Sequence, residues 1–149
     1  EVFNLFIGET QAEYIKIKVG SAVSTGEKIE FPMRGRDVVT GLPREVMVSD
    51  EQIREALQRS VNTIVDYIKM TLEITPPELT GDIHERGLLL TGGGSLLKGL
   101  AKVIASATEI PVRVSDDPLS AVVRGTGILL EEEALLKEII LPSARMIRK

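Results

Sequence analysis

Three consecutive glycines, Gly92, Gly93 and Gly94, follow a short apolar run and precede a segment rich in leucine. A glycine has no Cβ, so its backbone can come within contact distance of a ligand. A helix that follows would add unpaired N–H groups, which favour phosphate-like anions. A tight turn without a ligand is the alternative, but three glycines exceed what a turn needs, and each costs roughly 0.5–1 kcal/mol. The run therefore favours, weakly, a nucleotide-like ligand.

Two common phosphate-binding patterns do not fit this glycine run. It lacks the G-x-G-x-x-G spacing of dinucleotide-binding turns, and Lys98 is misplaced for a P-loop, in which Lys-Ser/Thr follows the last glycine. The other polar candidates favour structural roles. Asp116 and Asp117 lie in "SDDP", which is typical of a helix N-cap. His84, the only histidine, has no second histidine at metal-binding spacing, so we expect it at the surface and predict no metal site.

The composition excludes several classes of protein. A net charge of −4 and a pI near 5.1 argue against nonspecific nucleic-acid binding, which needs a basic face. The absence of cysteine excludes disulfides and cysteine metal sites. No apolar run approaches the roughly 18–20 residues of a membrane span, and no signal peptide precedes the apolar segments. We therefore expect a cytoplasmic protein with an aliphatic core.

The segments around the glycine run alternate between strand and helix. An apolar strand over residues 88–91 precedes the run, and a helix over residues 95–107 follows it. The segment "PVRVS" predicts a second strand, and residues 116–118 begin another helix. Strand, helix and strand predict a parallel pair with a crossover. The glycine run would then lie at the carboxyl end of a strand, where open α/β sheets bind ligands.

The first half of the chain has a different pattern. Residues 10–19 have helical spacing, although "IKIKV" also alternates as a strand would. Residues 27–48 predict a β-hairpin, in which Pro32 marks an edge or a bulge. Ser49 and Gln52 form a capping box that begins a long amphipathic helix ending at Pro76. We therefore predict a smaller α+β lobe at residues 1–48 and a larger α/β lobe at residues 49–149, with a helical tail from residue 131.

Longer stretches of the sequence resemble one family. The segments "RGLLLTGGGSLLKGL" and "PVRVSDDPLSAVVRGTGILLE" are similar to the adenosine motif and the following segment of the MreB family of bacterial actins. The resemblance extends through "IGETQAEYIKIKVGSA" and "MRGRDVVTGLPREVMVSDEQIREAL", and it covers residues 4 to about 130. It implies an actin-like ATPase fold, with a ribonuclease H-like large subdomain and a smaller α+β subdomain. The chain would form an incomplete second domain of such a protein.

The resemblance also implies which residues meet the nucleotide. Gly92, Gly93 and Gly94 match the family's loop at the adenosine. Glu13 and Lys16 match the helix that closes over the ribose and adenine, and at i and i+3 they lie on one helical face. The alternative is a capping box of Thr10 with Glu13, with Lys16 solvated. The family commonly has "GERTAE" where this chain reads "GETQAE", so the family's arginine side chain has no counterpart here.

For function, the resemblance implies a cytoskeletal subunit that polymerises with ATP and directs cell shape and cell-wall synthesis. Its phosphate loops and magnesium ligands would lie upstream, so this chain alone should not hydrolyse ATP, whereas the intact protein would be a slow ATPase. Its partners would be further copies, the missing N-terminal half and membrane-associated wall-synthesis proteins, at the inner face of the cell membrane. The alternative is a piece of a sugar kinase or a DnaK-type chaperone. The tail, with Leu135, Leu136, Ile139 and Ile140, would pack on its own domain or contact a membrane.

Overall fold

The protein is described by a computed structural model, which defines residues 3–26 and 28–139. In chain order the elements are β1 (Leu5–Phe6), α1 (Glu9–Val19), β2 (Glu30–Asp37), β3 (Pro43–Ser49), α2 (Asp50–Glu73), α3 (Pro77–Arg86), β4 (Leu88–Leu90), a 3₁₀ turn (Gly93–Leu96), α4 (Leu100–Thr108), β5 (Val112–Val114), α5 (Ala121–Glu131) and α6 (Glu133–Ile139). Within the residues described, no helix combines the length and apolar character needed to cross a bilayer.

The first sheet contains the predicted hairpin. Its strand order is β1-β2-β3 with antiparallel pairing throughout. Although β2 is the central strand, β1 pairs only with Arg36 and Asp37, so Pro32 lies where β3 is the sole neighbour of β2. A proline is tolerated there because the other side of the strand needs no ladder donor. The edge position predicted for Pro32 is therefore correct, although β2 as a whole is the central strand of the sheet.

Helix α1 packs on one face of this sheet. Its buried residues, Ile15 and Val19, form a cluster with Met33 of β2 and Val48 of β3. Ile15 and Val19 would share a face in a strand as well as in a helix, so Ile17 between them distinguishes the two structures. A strand would place Ile17 on the same face, whereas here it is 64% exposed. The prediction of a helix here is confirmed, and it begins one residue earlier than expected.

The long helix α2 begins where its cap was predicted. The Ser49 side chain accepts a hydrogen bond from the Gln52 backbone N–H at 3.2 Å, and the Gln52 side chain accepts one from the Ser49 N–H at 2.9 Å. The helix ends at Glu73, three residues before Pro76. Its Val61 and Val65 form a second buried cluster with Leu100 and Ile104 of α4.

The second sheet consists of β4 and β5, which pair in parallel from Leu88 with Val112 to Leu90 with Val114. The predicted parallel arrangement is confirmed. Leu88 and Leu90 pack toward the α2–α4 cluster, whereas Leu89 between them is 54% exposed. The sheet therefore has one covered face and one bare face. The two clusters lie on either side of Ser49, and the division of the chain into two lobes there remains a prediction.

The predicted helix over residues 95–107 is wrong in its first turn. The glycines lead into the 3₁₀ turn, and α4 begins only at Leu100. The break occurs at Gly99, which has φ +78°. A Cβ at this position would lie 2.4 Å from Cγ2 of Val23, a residue distant in the sequence. The close approach of Val23 requires glycine, and the left-handed conformation of Gly99 ends any continuous helix through it.

Two further parts of the sequence prediction need correction. Helix α3 over Pro77–Arg86 was not predicted, and Pro77 occupies its first position, where a missing N–H costs nothing. Helix α5 begins at Ala121 rather than at residues 116–118. The side chain of Asp117 accepts from the Ser120 N–H at 3.3 Å, so it closes the turn before α5. The tail is helical through Ile139, and Ile140 lies outside the described residues.

Candidate functional site

The three glycines form an open strip of backbone at the carboxyl end of β4. Gly92 has φ +80°, a conformation that side chains rarely adopt, and its N–H donates to the Pro118 carbonyl at 2.7 Å. A Cβ built on Gly92 or Gly94 would meet no atom within 4 Å, and one on Gly93 would lie 3.4 Å from Leu119. Other atoms of the chain therefore leave room for a side chain at these positions, and another molecule can approach the glycine backbone.

The residues after Gly92 make a tight turn, here called the glycine turn (residues 92–96). Ser95 is 7% exposed, and its Oγ donates to the Gly92 carbonyl at 2.6 Å while its N–H reaches the same oxygen at 3.2 Å. The N–H groups of Gly93 and Gly94 precede this first hydrogen bond of the turn, as the first N–H groups of any helix do. Two backbone donors therefore begin a turn that Ser95 fixes.

The structure places Glu13 and Lys16 together on the surface of α1. Lys16 Nζ lies 2.5 Å from Glu13 Oε2, and the two side chains are 41% and 56% exposed respectively. The alternative capping box of Thr10 with Glu13 is wrong, because α1 is capped by Gly8 and no side chain bonds to its first turn. Glu13 is therefore not needed to begin the helix, and the exposed pair can contact a ligand.

A short segment joins the end of α1 to the end of the glycine turn. In this segment, here called the connector (residues 21–23), Ser21 pairs with Lys98 in an isolated parallel bridge. The Ala22 N–H donates to the Lys98 carbonyl at 2.7 Å. Ser21 is only 2% exposed, and its Oγ donates to the same carbonyl at 3.2 Å. Lys98 comes two residues after the glycine turn. The contact of the connector with Lys98 therefore links α1, which carries Glu13 and Lys16, to the segment that carries the glycines.

The contact does not by itself place the side chains of α1 over the glycines. Within the described residues, no hydrogen bond or ion pair joins Glu13 or Lys16 to the glycine turn. Their joint contact with one ligand therefore remains a prediction.

Sequence reasoning missed two exposed apolar side chains, one in each part of the candidate site. Ile17, one helical turn from Glu13, is 64% exposed, and Leu96 at the end of the glycine turn is 55% exposed. The alternation of Ile15, Ile17 and Val19 could not show which residues are buried, since it fits both a strand and a helix. The helical structure assigns Ile15 and Val19 to the core and leaves Ile17 on the surface that carries Glu13.

The described residues also contain a cavity of about 550 Å³ away from the glycine turn. It lies between Ala22, Val23 and Ser24 on one side and the first half of α2 on the other, and its lining includes Glu51, Arg54, Glu55, Gln58 and Asn62. None of the predicted ligand residues contributes to it. His84 is exposed on α3, as expected.

Comparison with known proteins first defines the class of fold. The structure superimposes on a subunit of the MamK double helical filament with a TM-score of 0.71 at 23% identity, covering 87% of this chain and 39% of that one. It superimposes on MreB5 of Spiroplasma citri bound to ADP with a TM-score of 0.83 at 36% identity, covering 92% of this chain and 41% of the other. The fold is therefore actin-like, and the predicted fold class is confirmed.

The sequence comparison is more specific. Residues 1–138 match the family described as MreB/Mbl protein. The chain is 46% identical over 129 residues to the cell shape-determining protein Mbl of Bacillus subtilis strain 168, a match that covers 87% of this chain. This chain belongs to the MreB/Mbl family of actin-like, cell shape-determining proteins. It spans about two fifths of the length of the relatives it matches, with 39% of the Bacillus subtilis protein covered.

Proposed function

We propose that this chain forms the adenosine-binding part of a bacterial actin-like protein that polymerises with ATP and directs cell shape and cell-wall synthesis. The observation that carries the proposal is the glycine turn, which is open at Gly92 and Gly94 and tied through Lys98 to the helix that carries Glu13 and Lys16. Support also comes from MreB5 of Spiroplasma citri, which has been crystallised with ADP and with AMPPNP.

Each part of the candidate site has a distinct role in this proposal. The glycine backbone approaches the nucleoside, and the N–H groups of Gly93 and Gly94 supply donors to it. The Glu13 carboxylate accepts a hydrogen bond from a ribose hydroxyl, and Lys16 orients that carboxylate through their ion pair. Ile17 and Leu96 provide apolar contact for the flat face of the base.

The phosphates and Mg²⁺ need residues beyond these. Within the described ranges, no three potential ligands among His, Cys, Asp and Glu lie together. The residues present therefore do not fit a magnesium site, and we assign no step of ATP hydrolysis to them. We propose that the phosphate loops and metal ligands belong to the rest of a longer protein, whose slow ATP turnover times its assembly.

The bare face of the second sheet is the place where that remainder would pack. Parallel strands are normally covered on both faces, yet Leu89 of β4 is 54% exposed. Val122 and Val123 of α5 are 71% and 68% exposed. The remainder would bury these side chains and complete the sheet.

Filaments of the completed protein would lie in the cytoplasm at the inner face of the membrane. Their partners would be membrane-associated wall-synthesis proteins, and they would not bind nucleic acid.

The substitution Glu13→Ala in the full-length protein tests the proposed site. A hydrogen bond to a charged group contributes about 1.5–3 kcal/mol, so ATP affinity should fall roughly ten- to a hundredfold. The exposed ion pair with Lys16 contributes about 0–1 kcal/mol, so the free energy of unfolding should change little. Titration calorimetry measures the affinity. Glu9→Ala, an acid in the first turn of the same helix, is the control and should bind ATP normally. Unchanged affinity in Glu13→Ala would remove Glu13 from the site.

A further inference from the structure

The cavity of about 550 Å³ between the connector and α2, here called the α2 cavity, takes no part in the proposed nucleotide site. Its volume lies within the range of about 300–1,000 Å³ that small-molecule sites occupy. One wall comes from Ala22 and Val23 of the connector with Ser24 after them, and the other from the first half of α2. The cavity is therefore bounded by two segments that are separate in the sequence, and a ligand in it would contact both.

The α2 wall of the cavity carries a row of side chains with acceptor oxygens. The row consists of Glu51, Glu55, Gln58 and Asn62. Their spacing of four, three and four residues puts them on one face of the helix, over a length of about 16 Å. Val61 and Val103 also line the cavity, so apolar surface lies beside the row. A ligand that suits both surfaces needs several donors joined by apolar segments.

The charge of the α2 cavity favours a cation. Glu51, Glu55 and the adjoining Asp50 supply three carboxylates against the one guanidinium of Arg54, a net charge of −2. Arg54 lies 3.6 Å from both Asp50 Oδ2 and Glu51 Oε1, so its charge is already shared between those two carboxylates. Within the described residues, Glu55 takes part in no ion pair. An anion would have to displace the contacts of Arg54, whereas a cation finds an unpaired carboxylate.

A metal ion fits this cavity less well than an organic cation does. Divalent metals need several oxygen ligands around one point, and across the described ranges no three side chains of His, Cys, Asp or Glu are gathered in this way. Carboxylates one helical turn apart, with about 5–6 Å between their Cβ atoms, can instead bind two ammonium groups joined by roughly four methylenes. The methylenes of such a chain would lie against Val61 and Val103.

We propose that the α2 cavity is a binding site for a linear aliphatic polyamine. One ammonium group binds Glu51 and the next binds Glu55, while the side-chain carbonyls of Gln58 and Asn62 accept hydrogen bonds from a third nitrogen. The bound chain lies between the connector and α2 and holds the two together. This site uses none of the proposed nucleotide contacts, so it goes beyond the proposed function, and the amine should bind without ATP.

Titration calorimetry of the full-length protein with spermidine, in the absence of nucleotide, tests the site. One spermidine should bind per protein, and putrescine, which has one nitrogen fewer, should bind more weakly. Butylamine, a monoamine, should bind at least about tenfold more weakly than spermidine, because it can use only one carboxylate. Spermidine should also raise the melting temperature, because it binds the folded protein and not the unfolded chain.

The variant Glu55→Gln removes one carboxylate of the row with little change in the size of the side chain. Because Glu55 is exposed and unpaired, the variant should fold. Its affinity for spermidine should fall roughly tenfold or more, and the rise in melting temperature should shrink accordingly. Glu73→Gln is the matched control. It removes the same charge from the other end of α2, outside the cavity, and should bind spermidine as the wild type does.

The inference fails if spermidine does not bind, or if butylamine binds as tightly as spermidine does. It also fails if several spermidine molecules bind per protein with an affinity that Glu55→Gln and Glu73→Gln lower equally, since that pattern indicates general attraction to the negative charge of the protein. Each of these results would leave the proposed nucleotide site untouched, because neither Glu55 nor Glu73 belongs to it.

Discussion

Gly99 lies where the connector meets the start of α4, and it shows how one residue can decide a helix boundary. Its φ of +78° suits glycine, and a Cβ would lie 2.4 and 3.1 Å from the two methyl carbons of Val23. The Lys98 carbonyl, which precedes it, is used by the connector. A side chain at this position would push the connector away from the glycine turn.

Gly99→Ala should therefore lower the free energy of unfolding by about 1–3 kcal/mol, because it adds both a strained φ and a steric overlap. Gly81→Ala is the matched control. Gly81 lies inside α3 with open space at its Cβ, so alanine should raise stability by about 0.5–1 kcal/mol. Urea unfolding of the full-length protein measures both. Equal effects of the two substitutions would show that Val23 does not constrain Gly99.

At the scale of elements, the hairpin depends on Asp37, whose side chain is only 10% exposed. The N–H group of Thr40, followed by Arg44 and the N–H group of Val39, lowers the pKa of Asp37 from 3.8 to about 2. A carboxylate with a lowered pKa stabilises the fold above its unfolded pKa, and that contribution is lost as the pH falls through the folded pKa.

The urea midpoint of the wild type should therefore exceed that of Asp37→Asn above about pH 4, and the difference should shrink as the pH falls toward 2. Glu45→Gln, which breaks the exposed pair with Arg34, is the control and should change the midpoint little. A difference between wild type and Asp37→Asn that stays constant from pH 2 to 7 would mean that the charge of Asp37 does not hold the turn.

The elements also show what the sequence could and could not predict. Helix α2 was predictable because its cap, its apolar periodicity and its end are all signalled locally. The interruption before α4 was not, since its cause, Val23, is far away in the sequence. In the candidate site the glycines were recognisable by type, whereas the exposure of Ile17 depends on which face of α1 the sheet covers. Long-range packing, rather than local propensity, accounts for each of these differences.

At the scale of the whole molecule, the proposed site would hold only part of a nucleotide. In the proposed site the glycine turn, Glu13 and Lys16 would contact a nucleoside, but the described residues gather no set of magnesium ligands. The 149-residue chain should therefore bind ATP weakly and equally with and without Mg²⁺, whereas the full-length protein should bind it more tightly with the metal. Calorimetry with MgCl₂ and with EDTA tests this, after circular dichroism has shown that the chain is folded. Tight binding by the chain that needs magnesium would reveal a phosphate site within it.

The packing of α1 on the hairpin has a mechanical consequence. Ile15 and Val19 pack in one buried cluster with Met33 and Val48, so we expect the helix and the two strands to move together. β2 contains eight residues, which at about 3.3 Å each make an arm roughly 25 Å long. A rotation of α1 by about 5° would displace the far end of that arm by about 2 Å. A small movement of α1 would thus be magnified at the loop that joins β2 and β3 (residues 38–42), so a nucleotide that contacts Glu13, as proposed, would shift that loop as well.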